Sequence, residues 1–432
     1  MINYHFPKSF PRAEEITAKV NNEIVEVLST NIGYIISVAY EGAAELEIEA
    51  VKPIKEVSIS PFCLELKADI IHEKVSIHIP GNEYLYIEIE GISRPLFFYG
   101  NKVTEYNEAE ATYYFKAGQI YEVGNLILKS NESVYIEGGA VVSGGIRAFG
   151  ASGIRVYGHG ILDGSYFKDI DREHRTILLD KCTDTVIKDI ILIKPSCWMI
   201  MIAGCNGIRI DNVKEIGEVI SSDGVDIVGS SNVVIENCIF RNNDDSIAIK
   251  AFEETFRECN EPGGWNNTIS GIEVRHCIFI NGGGGNVVEI GHELQTEEVG
   301  DILFYDIDIV CVKSYGAALA IHAGDRATVR DITYENIRIQ HYYDKLLDFR
   351  VMRSMYNKDE ERGQIRNIRL KNIRVKESIY NPGYSISLIG GYDEAHTVEN
   401  VTFEDFYLNE RKVWNADQLD LHMKNAKNIC FI

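Results

Sequence analysis

The sequence predicts an all-β protein: a right-handed parallel β-helix preceded by a small antiparallel β-sandwich. Three observations carry this expectation. One strand phrase, apolar-x-apolar-x-polar-x-x-apolar, recurs from about residue 153 onward. The first hundred residues break into short alternating strands, and helix signals are scarce throughout.

The N-terminal strands read YIISVAYE, AELEIEAV, EVSISP, LELKADII, KVSIHIP and EYLYIEIE, separated by Gly, Pro, Asn and Asp. Alternation between such punctuation is the pattern of a sandwich whose sheets each bury one face. The boundary is placed near Gly100, giving residues 1–100 to the sandwich and 101–432 to the β-helix. From Thr112 the chain reads as the opening coils of that helix, with SNESVYIEGGAVV as a strand and a Gly-rich corner. Two pieces, AEEITAKV near the N-terminus and part of AFEETFREC, carry the strongest helical signal.

The recurring phrase begins near Gly153, Thr185, Gly207, Asn232, Gly271, Asp301, Asp331, Asn367 and Asn400. Its spacing is too irregular for a helical-repeat solenoid but suits coils that share a strand pair and differ in loop length. Asn237, Asp306, Asn336 and Asn372 stand in mid-phrase, where a short polar side chain tolerates left-handed backbone and marks a corner. Stacked coils of this kind bury their inward residues against their neighbours, and Val234, Ile272 and Ile302 are expected on adjacent inward rows.

Composition narrows the function. Asp and Glu total 65 against 43 Lys and Arg, a formal charge of −22, which excludes a general nucleic-acid binder because a phosphate backbone wants a basic face. No stretch approaches the roughly 18 apolar residues of a membrane span, so no membrane partner is expected. The N-terminus has no signal-peptide core, and the nine cysteines contain no Cys-x-x-Cys pair. The expectation is a cytoplasmic protein with reduced thiols, no disulfide framework, no metal and no cofactor.

Chemistry concentrates in residues 221–251, SSDGVDIVGSSNVVIENCIFRNNDDSIAIKA. Asp223 and Asp226 close one coil segment, and Asp244 and Asp245 follow about one coil later. Coils stack about 4.8 Å apart, so Asp223 and the Asp244-Asp245 pair can share one solvent-facing patch. Like charges disfavour simultaneous ionisation, a cost that functional sites tolerate. The alternative is that these aspartates only cap β-helix corners. Asp226 has a further one, a hydrogen bond to the Gly224 turn.

The segment resembles the signature of the polygalacturonase-type glycoside hydrolases of family 28. There an Asn-Thr-Asp-Gly-x-Asp phrase is followed by Asp-Asp, then Gly-His-Gly, then Arg-Ile-Lys. Here the elements read Ser221-Ser222-Asp223-Gly224-Val225-Asp226, Asp244-Asp245 and Gly291-His292-Glu293. The fourth is altered: Leu319-Ala320-Ile321-His322 stands where Leu-Arg-Ile-Lys is expected, so both basic residues are missing. GHGILDGS at 158–165 and PSCWMI at 195–200 extend the resemblance to roughly residues 112–410. The N-terminal sandwich is similar to that of the dextranase and isopullulanase family.

The resemblance implies an inverting hydrolase of oligosaccharides or polysaccharides. Asp244 would be the general acid, and Asp223 and Asp245 would hold and deprotonate the attacking water. His292, Asp226, Glu289, Glu293, His322, Arg326, Trp198 and Trp265 are candidate substrate contacts, the tryptophans as stacking faces or as core. Asp325 and Arg326 form a polar group on the coil of His322. The loop 253–267 reads as a cleft wall, which suits an exo-acting enzyme. The missing basic pair suggests a neutral sugar, with Arg326 the residue best placed to restore a galacturonate site. A polysaccharide lyase or an intramolecular glycosyl transferase is a second reading, weakened because no Arg and Lys cluster is evident near the aspartates. A non-catalytic sugar-binding β-helix is the third.

Overall fold

The computed structural model describes residues 1–167, 174–254, 263–376 and 385–432. Contacts divide the chain into two units, one of Met1–Tyr121 with 134–142 and 158–161, the other holding the remainder to Ile432.

The first unit contains the expected sandwich. One sheet runs Ile2–Asn3, Tyr34–Ala39, Leu96–Asn101, Tyr84–Ile89 and Val57–Ser60, with Leu28–Ser29 on the edge of Tyr34–Ala39. The other runs Glu23–Val25, Ile16–Val20, Ala44–Ala50, Lys74–Ile79 and Ala68–Ile71. Val20, Ile36, Leu46, Ile77 and Phe98 are fully buried in its core. Two expectations need correction. AEEITAKV is not helical: Ile16–Val20 is a strand hairpinned to Glu23–Val25, because its alternating Ile16, Ala18 and Val20 face the core. The sandwich is also not wholly antiparallel, since Leu96–Asn101 pairs parallel to Tyr34–Ala39.

The second unit is the right-handed parallel β-helix. A representative coil carries the strands Ser231–Glu236, Ile239–Asn242 and Ile247–Glu254, each paired in parallel with its counterpart one coil on. Left-handed corners recur along the stack: Asn237 has φ 57°, Asp306 52°, Asn336 58° and Asn372 51°. These corners form ladders, with Asn237 donating to Asp211 at 2.8 Å and Asn372 to Asn336 at 2.7 Å. A second set of left-handed residues opens the phrase, among them Asn232, Asp301, Asn367 and Asn400.

Between the corners the period-2 pattern decides which side chains enter the core. Val225 and Ile227 stack on Ile247 and Ile249, then on Val288 and Ile290, then on Leu319 and Ile321. Full burial of such an aliphatic side chain contributes about 1.5–3 kcal/mol. Phe240 stacks on Phe279 with ring centres 5.1 Å apart. The expected inward row needs a one-residue correction: Val233, not Val234, aligns with Ile272 and Ile302. In a strand that single step exchanges the two faces. The helical expectation for AFEETFREC also fails where it can be seen, because Phe252–Glu254 continues the strand Ile247–Glu254, while 255–262 lies outside the described residues.

Candidate active site

The sheet built from Val225–Val228, Ile247–Glu254, Val288–Leu294, Ala317–Ala323 and Lys345–Val351 presents two outward columns. In the first, Asp226, Ala248, Glu289, Ala320 and Asp348 follow one another, so acids alternate with alanines. In the second, Val228 is followed by Lys250, and further along Gly291 by His322 and Arg350. Acid and base columns adjoin, and their members pair.

Lys250 is the site residue that a reading of the sequence misses. Its ammonium donates to Asp226 Oδ1 at 2.8 Å and to Asp223 Oδ2 at 3.2 Å. It also lies 4.2 Å from the centre of the Trp198 ring, whose surroundings include the Arg175 guanidinium at 4.9 Å. Burial alone would strip Lys250 of its proton, but Asp226 and Asp223 win and hold its pKa well above the ordinary value. The sequence shows no Arg and Lys cluster near the aspartates, but the fold brings the Lys250 ammonium onto two of them and the Arg175 guanidinium onto the same Trp198 ring. The signal is present in SIAIKA: its alternation turns Lys250 to the same face as Ala248, one coil beyond Asp226.

Asp223 is not solvent-facing as expected; it is 3% exposed and Asp226 beside it 0%, which their contact with Lys250 makes tolerable. Asp244 and Asp245 are half-buried on the turn one coil on, where Gly224 N–H donates to the Asp245 carbonyl at 2.9 Å. Burial and then the Asp223 charge push Asp244 up to about 6. Asp245 is pushed up by burial and by Glu289, Asp223 and Asp244, while its Oδ1 accepts the Asn286 N–H at 2.6 Å. The three aspartates thus act on one another electrostatically, as the coil spacing implies.

The next coils hold a buried chain of charges. Glu289, fully buried, receives the Asn286 amide at 2.8 Å and lies 2.9 Å from His322 Nδ1. The other nitrogen, Nε2, is 3.1 Å from Asp348, which in turn accepts Arg350 Nη2 at 2.7 Å. Burial would lower the His322 pKa, but Glu289 and Asp348 outweigh it and raise it to about 10. His322 is therefore biased toward the charged form near neutral pH, and with a carboxylate at ion-pair distance from each nitrogen it faces acids instead of a ligand. Glu289 is likewise committed to its partners.

His292 and Glu293 sit on a bulge. Ile249 pairs with Ile290 and Ala251 with Leu294, so Gly291, His292 and Glu293 stand opposite Lys250 alone. Such bulges re-aim side chains. His292 is half-buried, stacked on His322 and 5.3 Å from the Tyr356 ring. Burial raises the Glu293 pKa, with Lys250 opposing. Glu289, His292 and His322 each offer a ligand atom, all within 4.8 Å of one another, so they could in principle hold a metal ion. The ion would have to displace the proton that Glu289 and Asp348 hold on His322, so the trio fits an ion-paired stack better.

Two candidates have other roles. Trp265 is fully buried, donates its indole N–H to Asp180 at 2.8 Å and packs edge-on against Phe252, so it is core, not a sugar platform. Trp198 is half-buried at the edge of that cluster. Arg326 is held by Asp359 at 2.7 Å and Glu297 at 3.3 Å. Asp325, fully buried, accepts the N–H groups of Leu294, Lys358 and Asp359 at 2.8, 2.7 and 2.6 Å. Both therefore anchor the segment after Lys345–Val351, the one that brings Tyr356 to His292. Of the loop 253–267, only Glu253–Glu254 and 263–267 lie within the described residues.

A β-helix whose turns gather coupled aspartates, with one carboxyl titrating near neutral pH, has the equipment of an acid-base hydrolase. The model of the glycosyl hydrolases family 28 matches residues 123–377, and the chain belongs to that family: it is a glycoside hydrolase. Its backbone is similar to Dex49A from Penicillium minioluteum, at 13% identity and a TM-score of 0.64, with 100% of this chain and 97% of that one covered. It is also similar to a hyperthermoactive exopolygalacturonase from Thermotoga maritima, at 14% identity and a TM-score of 0.54, covering 74% of this chain and 83% of that one. The polygalacturonase of Erwinia carotovora ssp. carotovora follows at 16% identity and a TM-score of 0.50, covering 72% and 86%. These likenesses speak for the fold. No curated protein matches in sequence.

Proposed function

We propose that the protein is an inverting, exo-acting hydrolase of neutral oligosaccharides, with Asp244 as general acid and Asp223 and Asp245 handling the attacking water. The observation that carries the reading is the contrast between Asp244, pushed up to about 6, and Asp223, ion-paired to Lys250. One carboxyl is suited to give a proton to the leaving glycosidic oxygen. The other is suited to take one from water, and both are needed for a single displacement. Asp226 holds Lys250 in place, and the half-buried or exposed groups that can meet the sugar are His292 and Glu293 opposite Lys250, Trp198 against its ammonium, and Tyr356 beside His292.

The neutral-sugar reading is supported by where the cations are spent. Lys250 pairs with Asp223 and Asp226, His322 with Glu289 and Asp348, Arg350 with Asp348, and Arg326 with Asp359. A uronate carboxylate would have to compete with these partners. The same pairing disfavours a lyase, because a Lys250 held protonated cannot abstract a proton. For exo action, the anchored segment beside His292 supplies a wall. For a cytoplasmic setting, the support is that no disulfide joins the eight described cysteines.

The test is a screen for reducing-end release from neutral oligosaccharides and oligogalacturonides, comparing wild type with Asp244→Asn. Release from neutral sugars by wild type alone supports the reading. Equal release by the variant, or a preference for oligogalacturonides, opposes it.

A further inference from the structure

The turn that carries Asp223 rests on a buried acid the mechanism does not use. Glu215 lies on Lys214–Ile216 and stands in the inward column of Leu192, Phe240 and Phe279. It is 0% exposed, inside the β-helix. One strand end away, Asn242 and Asn281 occupy successive coils of another inward column. Asn281 ties down the neighbouring turns, donating to the Asp244 carbonyl at 2.9 Å and the Gly284 carbonyl at 2.7 Å. Asn242 instead donates to Glu215 Oε2 at 3.1 Å. The coil of Glu215 has Gly217 at its strand end, which offers no side chain, and the longer Glu215 reaches the Asn242 amide in its place.

The back of the aspartate turn packs directly on this pair. A methyl group added at Gly224 would lie 2.9 Å from Glu215 Oε2, 3.2 Å from Asn242 Oδ1 and 2.4 Å from the Ser246 carbonyl. On its other side the turn is held by Met199 N–H on the Asp223 carbonyl at 2.8 Å and Ile200 N–H on the Gly224 carbonyl at 2.9 Å.

We propose that Glu215 is a positioning residue that fixes, from inside the β-helix, the depth of the turn bearing Asp223 and Asp226. The proposal rests on reading those aspartates as site residues. Burial pushes the Glu215 carboxyl up to about 8, the Asn242 amide opposes, and the Asp226 charge adds to the rise. Near pH 7 Glu215 is therefore a neutral acid. Cys238, which feels the charge of Glu215, is raised by burial and stays a thiol. Lys214, its neighbour in sequence, donates to the Asp189 carbonyl. Ionising Glu215 places a charge in an apolar interior within reach of the Asp226 charge, and the turn above it should loosen.

The sign follows. A carboxyl whose folded pKa is raised contributes stability that is full below its unfolded value and is lost as pH rises through about 8. Amide exchange over residues 221–226, corrected for intrinsic rate, needs no substrate and so is independent of the hydrolase reading. Between about pH 6 and 9, on either side of that value, protection of this segment should fall in wild type and hold steady in Glu215→Gln, the neutral isostere. In activity, Glu215→Gln should match wild type at about pH 6 and outlast it above about pH 8. Glu215→Ala should lose kcat by about 10–100-fold with KM little changed, the size of effect expected from a misplaced turn. Identical pH dependence of protection in wild type and Glu215→Gln would overturn the proposal, whether or not Glu215→Ala folds.

Discussion

His292 and His322 stack face to face, 4.6 Å between ring centres and 15° between planes, yet they titrate in opposite directions. His322 is raised to about 10 by Glu289 and Asp348 against the pull of burial. His292 is lowered, by burial first and with the charge of His322 contributing. One imidazole is held charged by its carboxylates, and the other is biased toward the neutral form opposite Lys250.

The pair can be read by histidine-selective NMR. The His292 signal should titrate below the ordinary value near 6.5, and the His322 signal should not move below about pH 8. Because the folded pKa of His322 is raised, its stabilisation is full below about 6.5 and is lost as pH climbs toward 10. Wild type should therefore lose stability relative to His322→Gln over that window. A His322 that titrates near 6.5 would remove the charge chain from the site.

Lys250→Met should leave Asp223 and Asp226 buried without their cation, at a cost of about 3–5 kcal/mol in urea unfolding. Adding Asp226→Leu should recover part of that loss, since both members of one pair are then gone. A Lys250→Met protein as stable as wild type would mean that the aspartates do not depend on the ammonium.

Arg326→Ala should release one anchor of the segment 352–363 and speed its proteolytic cleavage, with the order of preference among substrates unchanged. If the variant instead loses activity on oligogalacturonides selectively, Arg326 binds substrate and the neutral-sugar proposal fails.

Asp244→Asn should lower the rate by about 10²–10⁴-fold, the range of a lost general acid. Wild-type kcat/KM should decline as pH rises through about 6, where Asp244 gives up its proton, and the residual activity of the variant should lack that limb. A variant that unfolds, or that keeps the limb, would make Asp244 structural.

Much of this is legible in the residues. Asn237, Asp306, Asn336 and Asn372 read as corners and adopt left-handed backbone, because few side chains tolerate that conformation and the pattern repeats. Alternation locates the strands but not always their faces, as Val233 and Val234 show, since the pattern there runs through two adjacent valines. Lys250 escapes notice because the family's motif directs attention to Ala320 and His322 for a cation. The alternation of SIAIKA gives its face, but its pairing with Asp226 depends on coil register, which no local pattern reveals. Trp265 cannot be placed for the same reason: its partner Asp180 lies several coils earlier in the chain. The His322 charge needs Asp348, an acid in LLDFRV whose outward face follows from parity but whose neighbour does not.

The central claim is a single displacement by Asp244 with water held at Asp223 and Asp245. Its most direct test is the anomeric configuration of the first product released from a neutral oligosaccharide, followed by proton NMR before mutarotation. Inversion at the cleaved carbon, absent in Asp244→Asn, is the predicted result. Retention of configuration would contradict it, because retention requires a carboxylate to attack the sugar itself.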